Sequence, residues 1–385
     1  MKVKRLWFCF FVSLLSLCLI LSCQGYDRAI ASPQIIKIGF AAPLTGDQAQ
    51  LGLDTFNGVK LAIDQANQKG EILPGYRLEP YPLDDQHNPA QAVSVARKFA
   101  SDPDVAAVIG HFNSSCTKPA SAIYHESRMV QITPASTNPE ISKQGFDTFF
   151  RIVATDDVQG PKGAQYAMNS LGIKTCFVID DKTTYGKGLA DEFHKKAASL
   201  GISMLGHEGI TQGDKDFTPL LIKIKSLNPE LIYFGGIYPE GALLLRQARD
   251  LDIKAIFMGG DGIASSTFVE LATPAIAEGT YATMVGGDMY ALTGAQEFIA
   301  AYEKQYGPIG QWSAYGYDAT NIVIEAIRKA GTADRQTILD AMRQIKDFQG
   351  VTGITNFDEK GDNLNQFIGV FKVEGGKLKY IGPAS

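Results

Sequence analysis

The chain has 385 residues, of which 45% are hydrophobic and 20% are charged, and its net charge is −5. This composition is too apolar for a disordered chain, and the length is sufficient for about two domains. A protein that binds nucleic acid needs a basic surface, so the acidic balance argues against a nucleic-acid partner.

The N-terminus has the pattern of a secretory signal. Lys2, Lys4 and Arg5 form a basic segment, and an apolar run follows over 6–21. The run ends just before Cys23, which is typical of a bacterial lipoprotein signal that is cleaved and lipidated at this cysteine. A plain signal peptide and an uncleaved anchor helix are alternatives, although the run is short for a membrane span.

All three alternatives export the rest of the chain. We expect a lipoprotein-type signal peptide over 1–22 and a short tether over 23–32. The protein would then lie in the periplasm or at the outer face of the cytoplasmic membrane, held there by its lipid anchor.

Two cysteines remain in the part of the chain that should fold, Cys116 and Cys176. They are able to pair in an oxidising compartment. However, Cys176 lies in an apolar run and Cys116 follows a loop, so we expect two buried free thiols. The chain has no CxxC or HExxH pattern, and we expect neither a metal site nor a cofactor.

Strands alternate with helices along the first block of the chain. Predicted strands lie at 35–40, 78–83, 105–110 and 129–133, and predicted helices at 54–68, 88–101 and 117–126. This alternation is typical of a parallel sheet covered by helices.

The alternation begins again after residue 151. Predicted strands lie at 175–180, 203–207, 231–234 and 255–258, with helices at 157–171, 185–200, 217–227 and 239–250. Three consecutive helices follow at 295–306, 314–330 and 335–345, and a hairpin at 367–381 ends the chain. A single (β/α)8 barrel is possible, but two blocks followed by three helices favour two doubly wound lobes.

In open parallel sheets the ligand lies beyond the carboxyl ends of the strands, so we expect the binding site in the loops that follow the predicted strands. Ser114 follows one predicted strand and precedes a helix, where hydroxyls and backbone N–H groups favour a carboxylate. Ala135, Ser136 and Thr137 form a loop of small residues after the next strand. If these loops do not form a binding site, Ser114 is an ordinary N-cap and the loop at 135–137 is an ordinary turn.

The second block adds an aromatic and an acidic residue at the same kind of position. Tyr185 opens a helix after a strand, and Asp261 stands among glycines after another. Tyr185 would either line a cleft or pack at the helix start, and Asp261 would either pair with a cation or form a turn. A carboxylate site and an ammonium partner together would suit a zwitterionic amino acid. We find no catalytic motif and expect no enzyme activity.

Several segments resemble the periplasmic leucine/isoleucine/valine-binding proteins, the type I solute receptors of ABC importers. The matching stretches are spread over most of the chain and include 38–46, 110–115, 132–137, 181–188, 233–240, 245–249 and 357–362. The resemblance implies an α/β fold of the type I periplasmic binding protein class. This fold has two Rossmann-like lobes with parallel sheets, joined by three crossovers near 154, 285 and 360. One lobe would comprise 33–153 and 286–360, and the other 154–285 and 361–385.

The same resemblance assigns roles to five residues. Ser114 would bind the α-carboxylate, and Ala135 and Thr137 would reach both charged groups of the ligand. Tyr185 would close the site from the second lobe. Asp261 stands where the family has a glutamate that pairs with the ammonium.

The chain also departs from the family pattern. Positions His87 and Asn113 match a family disulfide whose cysteines are absent here. Two positions that form an aromatic wall in the family are Leu51 and Ile237 in this chain. Phe112, Tyr238 and Trp312 are the candidates to replace that wall.

We therefore expect a monomeric receptor that binds a branched-chain or other neutral amino acid and delivers it to the transmembrane subunits of an ABC permease. The altered wall leaves a second possibility, the same fold binding a urea-like amide, an aromatic acid or a basic amino acid. An exported enzyme or a sensor module is the third alternative.

Overall fold

The structure, a computed structural model, describes residues 33–70 and 72–384. The predicted signal peptide and Cys23 lie outside the described residues. Cleavage and lipidation therefore stay predictions.

The first sheet has five strands, β1 (Gln34–Ala42), β2 (Tyr76–Asp84), β3 (Val105–Gly110), β4 (Val130–Thr133) and β5 (Phe149–Arg151). Their order in the sheet is β2-β1-β3-β4-β5. The pairs β1–β3, β3–β4 and β4–β5 are parallel, and Ala41 stands opposite Gly110. All residues of β3 and β4 are buried, as expected for a parallel sheet covered on both faces.

Helices from two distant parts of the chain pack with this sheet. They are α1 (Ala49–Lys69), α2 (Pro89–Ser101), α3 (Ser114–Glu126), α10 (Gln296–Tyr306), α11 (Ser313–Ala330) and α12 (Arg335–Met342). Helices α1 and α11 approach closely because glycines face the partner backbone. A Cβ on Gly58 would lie 1.9 Å from the Ser313 carbonyl oxygen, and one on Gly316 would lie 2.3 Å from that of Thr55. We call this sheet and its helices the first lobe.

The second sheet comprises β6 (Thr175–Asp180), β7 (Ser203–Gly209), β8 (Leu231–Gly235), β9 (Ile256–Gly259), β10 (Tyr281–Val285), β13 (Ile368–Glu374) and β14 (Lys377–Pro383). Its order is β14-β13-β10-β9-β8-β6-β7. The strands from β7 to β10 pair in parallel, whereas β13 and β14 add an antiparallel edge.

Six helices flank the second sheet, α4 (Asp156–Asn169), α5 (Thr184–Ser199), α6 (Thr218–Leu227), α7 (Tyr238–Asp250), α8 (Ser266–Ala272) and α9 (Pro274–Ala277). We call this sheet and these helices the second lobe. A small hairpin of β11 (Phe348–Gly350) and β12 (Gly353–Thr355) precedes the last passage between the lobes. The chain passes between the lobes after β5, after β10 and after β12.

The two open sheets confirm the two-lobed α/β interpretation and exclude the single barrel. The residue boundaries that the sequence analysis assigns to each lobe stay predictions. Strands β5, β10, β11 and β12 and helices α8 and α9 were not predicted from the sequence. Of these, β5, β11 and β12 have three residues each and α9 has four, which is too few for a recognisable periodicity of apolar and polar side chains.

Cys116 and Cys176 are both buried and free, so the prediction of two unpaired thiols is confirmed. Burial raises the pKa of both thiols above the ordinary value. The thiolate, which is the reactive form, is therefore disfavoured at each cysteine.

Candidate functional site

The carboxyl ends of both sheets present their loops to one another across the boundary between the lobes. Ser114 is the first residue of α3, directly after β3, and Ala135 follows β4. From the second lobe, Tyr185 lies in the first turn of α5, and Asp261 follows β9 in a short 3-10 turn. This is where open parallel sheets bind ligands, because the strands end there and the loops diverge.

These loops enclose one small cavity. The space left for water in it is about 30 Å³, enough for about two water molecules. Its wall consists of Leu51, Phe112, Asn113, Ser114, Ala135, Tyr185, Ile237, Asp261, Gly262 and Trp312. The structure thus brings together six of the eight residues that the sequence analysis selected. Ser136 and Thr137, the other two, do not line the cavity.

Ser136 is buried and is engaged within the protein. Its hydroxyl donates to the Phe112 carbonyl oxygen at 2.9 Å and lies 2.6 Å from the Thr117 hydroxyl. These bonds tie the loop after β4 to the loop after β3. The nearby Thr137 hydroxyl is also buried, but has no hydrogen bond of ordinary geometry among the described residues.

The apolar side of the cavity contains two aromatic rings. Phe112 and Trp312 pack edge to face with ring centroids 5.4 Å apart, a favourable arrangement for an aromatic pair. They stand beside Leu51 and Ile237 in the wall. The third candidate, Tyr238, is not in the wall, and its hydroxyl donates to the Asp47 carbonyl oxygen at 2.7 Å.

The polar side of the cavity is centred on Asp261, whose side chain is buried. The Tyr185 hydroxyl donates to its Oδ1 at 3.0 Å and accepts from the Gly262 N–H at 2.9 Å. Burial raises the pKa of Asp261 to about 6, against the lowering effect of the Gln159 and Tyr185 side chains. An unpaired carboxylate in such a place favours a cationic partner.

Hydrogen bonds cross from one lobe to the other around the cavity. The Asn138 side-chain amide donates to the Thr184 carbonyl oxygen at 2.6 Å, and the Gln311 amide donates to that of Asp261 at 2.9 Å. The two lobes are therefore in direct contact, and the cleft is closed.

Asn113 and Gly262 also line the cavity, but neither was predicted as a ligand-binding residue from the sequence. Gly262 has a readable local signal, since it continues the glycine-rich turn around Asp261. A Cβ there would lie 2.3 Å from the Gly236 carbonyl oxygen, so only glycine fits. Asn113 has no comparable signal, because its position depends on Gln48, to which its side chain donates at 3.0 Å.

The described residues contain no group of three or more His, Cys, Asp or Glu side chains placed to hold a metal ion. Over 33–70 and 72–384, no helix combines the length and the apolar character that crossing a bilayer requires.

Residues 35–377 match the model of the periplasmic binding protein family. The Leu/Ile/Val-binding protein homolog 1 of Brucella suis is 37% identical over 349 residues, which cover 90% of this chain and 93% of that protein. The chain belongs to this family. The resemblance found in the sequence is thereby confirmed, and this periplasmic binding protein is extracytoplasmic.

Two further relatives support the same assignment. The leucine-, isoleucine-, valine-, threonine-, and alanine-binding protein of Pseudomonas aeruginosa is 37% identical, covering 89% of this chain and 90% of its own length. The crystal structure of the leucine-binding protein LivK of Thermotoga maritima superposes with a TM-score of 0.84 at 30% identity, covering 90% of this chain and 98% of that one. This periplasmic binding protein is accordingly a solute-binding protein of a transport family and not an enzyme.

Proposed function

We propose that this protein binds a branched-chain or other neutral amino acid in the cavity between its lobes and delivers it to an ABC permease. The observation that carries the proposal is the composition of the cavity wall. One side offers a buried carboxylate with Tyr185 beside it, another a helix N-terminus with Ser114 and Asn113, and the remainder is apolar.

The carboxylate of the amino acid would bind at the start of α3. Ser114 supplies a hydroxyl and a backbone N–H there, and the helix N-terminus carries a partial positive charge that favours an anion. Ala135, on the neighbouring loop, contributes backbone groups to the same wall.

The ammonium would bind at Asp261 in the second lobe. Since the closed cavity has room for only about two water molecules, the lobes would separate to admit the ligand. The first lobe would then hold the carboxylate and the second the ammonium, so that one zwitterion would bridge the cleft. Tyr185 would keep the Asp261 carboxylate oriented toward the ammonium through their hydrogen bond of 3.0 Å.

The side chain of the ligand would contact Leu51, Phe112, Ile237 and Trp312. This surface presents no charged group, which favours aliphatic side chains over charged ones. The name of the Pseudomonas aeruginosa relative gives leucine, isoleucine, valine, threonine and alanine as its ligands, which agrees with a neutral amino acid here. Anchoring through a lipid on Cys23 and a monomeric state are part of the same proposal.

A thermal-shift screen against the twenty amino acids, urea, small amides and benzoate tests the proposal. A ligand that binds only the folded state raises the melting temperature in proportion to RT ln(1 + [L]/Kd). We expect a rise of several degrees with leucine, isoleucine, valine or close neutral relatives. A rise confined to an amide, an aromatic acid or a basic amino acid would replace this ligand class by the alternative one.

A further inference from the structure

Asp54 is a buried acidic residue that the proposed site does not use. It lies on α1, one turn after Leu51, which is part of the cavity wall. Asp54 itself does not line the cavity. Any effect that it has on the ligand is therefore exerted through other residues.

The Asp54 carboxylate accepts hydrogen bonds from the segment that leads into α11. Its Oδ1 accepts from the Gly310 N–H at 3.0 Å, and its Oδ2 accepts from the Trp312 N–H at 2.8 Å. The hydroxyl of Tyr302, on α10, also donates to Oδ1 at 2.9 Å. Because hydrogen bonds to a charged acceptor are stronger than those between neutral groups, the carboxylate fixes the backbone of 310–312 against α1.

The segment fits closely around this carboxylate. A Cβ on Gly310 would lie 2.4 Å from the Asp54 Cγ and Oδ1, so a side chain there would push the segment and the carboxylate apart. Burial raises the pKa of Asp54, whereas the Trp312 N–H, the Tyr302 hydroxyl and the Gly310 N–H lower it. These donors favour the charged carboxylate, which is the form that accepts from all of them.

The segment held by Asp54 contacts both the cavity and the opposite lobe. Trp312 is 2% exposed, lines the cavity and packs edge to face with Phe112. The side-chain amide of its neighbour Gln311 donates to the Asp261 carbonyl oxygen at 2.9 Å, across the boundary between the lobes. A shift of the segment would therefore move the Trp312 ring and weaken a contact with the second lobe.

We propose that Asp54 is a positioning residue that sets the side-chain selectivity of the cavity by holding Trp312 in its wall. The inference rests on the proposed function, in which Trp312 contacts the side chain of the ligand. A leucine side chain buries much more apolar surface against this wall than the methyl group of alanine does. Leucine binding therefore depends on the position of Trp312 more than alanine binding.

Calorimetry of leucine and alanine binding by native protein and Asp54→Asn tests the proposal. The asparagine keeps one acceptor oxygen and places an N–H donor where the other was, so part of the segment loses its bond. At about pH 8 we expect the Kd for leucine to rise at least about 10-fold and the Kd for alanine to rise less than about 3-fold. Displacement of bound leucine measures alanine binding where its own heat is too small.

Asp318→Asn is the matched control. Asp318 is likewise a buried helical acid of the first lobe, and it accepts from the backbone N–H groups of Val351 and Thr352. Neither of these residues lines the cavity. The control variant should leave the ratio of the alanine Kd to the leucine Kd unchanged, even where it lowers stability.

The fluorescence of Trp312 gives a readout that a loss of stability alone does not change. The chain has two tryptophans, Trp7 and Trp312, so in a Trp7→Phe background Trp312 is the sole one whether or not the signal peptide is cleaved. With saturating leucine we expect acrylamide to quench Trp312 more strongly in Asp54→Asn than in native protein, with a red-shifted emission, because the ring leaves its buried position. Asp318→Asn should match native protein.

Gly310→Ala displaces the segment while leaving Asp54 in place, and it decides the matter where Asp54→Asn does not fold. We expect it to lower the ratio of the alanine Kd to the leucine Kd as well. An unchanged ratio, or unchanged quenching of Trp312, in the folded variants would overturn the role of Asp54. Native protein that binds none of the twenty amino acids would instead overturn the proposed function, and that outcome is visible without any variant.

Discussion

Asp261 shows how surrounding groups fix the orientation of one buried carboxylate and raise its pKa. It is buried, it accepts a hydrogen bond from Tyr185 at 3.0 Å, and its pKa is raised to about 6 by burial. Tyr185 is in turn held by the backbone N–H of Gly262. Because each group fixes the next, the carboxylate is oriented before a ligand arrives, which reduces the entropy lost on binding.

Replacing Asp261 with asparagine should weaken leucine binding by about 2–5 kcal/mol, because the variant leaves a buried ammonium without its charged partner. Ser114→Ala should cost less, about 1–3 kcal/mol, since it removes one hydrogen bond to a charged group. Calorimetry gives both values, and thermal unfolding checks that the variants fold. Asp191→Asn, on the exposed face of the same lobe as Asp261, serves as the control. An unchanged Kd for Asp261→Asn would remove this residue from the site.

At the scale of elements, the loop after β4 is held by a buried arginine from β5. One Arg151 Nη donates to the carbonyl oxygens of Ser136 at 3.0 Å and Asn138 at 2.8 Å. The same guanidinium donates to Asp362 at 2.8 and 2.6 Å, on the segment by which the chain returns to the second lobe. Asn138 also bonds across the cleft to Thr184. Hydrogen bonds therefore connect the segment around Asp362, through Arg151 and the loop after β4, to Thr184 in the second lobe.

Asp362→Asn should destabilise the protein by about 3 kcal/mol, because it leaves the fully buried Arg151 without its charged partner. Denaturant unfolding measures the loss. Glu359→Gln removes an equal charge from an exposed position of the same segment and should change stability by less than about 0.5 kcal/mol. We also expect the Kd for leucine to rise in Asp362→Asn alone, since the site loop loses its support. Equal unfolding midpoints for the two variants would contradict the role given to the pair.

At the scale of the whole molecule, both lobes bury acidic side chains near the ends of their strands or helices. Burial raises the pKa of Asp318 in the first lobe to about 6, and that of Asp181 in the second lobe to about 7. Asp318 accepts hydrogen bonds from Val351 and Thr352. One carboxylate oxygen of Asp181 accepts no hydrogen bond in the described part of the chain. These acids bind protons more tightly in the folded protein than in the unfolded chain.

Asp181 and Asp318 should therefore each contribute stability that falls as the pH rises, whereas His87, whose pKa burial lowers to about 4, contributes stability that grows with pH. A folded-state pKa above the unfolded value adds stability that is present below pH 4 and is lost as the pH passes through the folded value. For Asp181 this loss of stability occurs between pH 3.8 and about pH 7. The free energy lost is at most about 4 kcal/mol, at roughly 1.4 kcal/mol per pKa unit. We expect this contribution of Asp181 to lower the melting temperature between pH 4.5 and pH 8, measured as the difference in slope between native protein and a variant without the carboxyl group.

Asp181→Asn should flatten that dependence, because the group that exchanges the proton is gone. Asp252→Asn, at an exposed position of the same lobe, should leave it unchanged. Differential scanning calorimetry at five pH values measures both slopes. Identical slopes for native protein and Asp181→Asn would exclude Asp181 as the source.

The sequence by itself determined the features that depend on near neighbours along the chain. The alternation of strands and helices, the positions of Ser114, Ala135 and Asp261 after strands, and the two free cysteines were all predictable. Each rests on local periodicity or on the rule that ligands bind where parallel strands end. A family resemblance added the two-lobed arrangement and the expected roles of these residues, which stay predictions.

Only the tertiary structure decided which distant residues meet. Phe112 and Trp312 are 200 positions apart, and no local pattern indicates that their rings pack together in the cavity wall. Arg151 and Asp362 likewise meet only because the segment after β12 returns to the end of β5. Burial and long-range pairing depend on how the entire chain packs, so a short segment of sequence does not contain them.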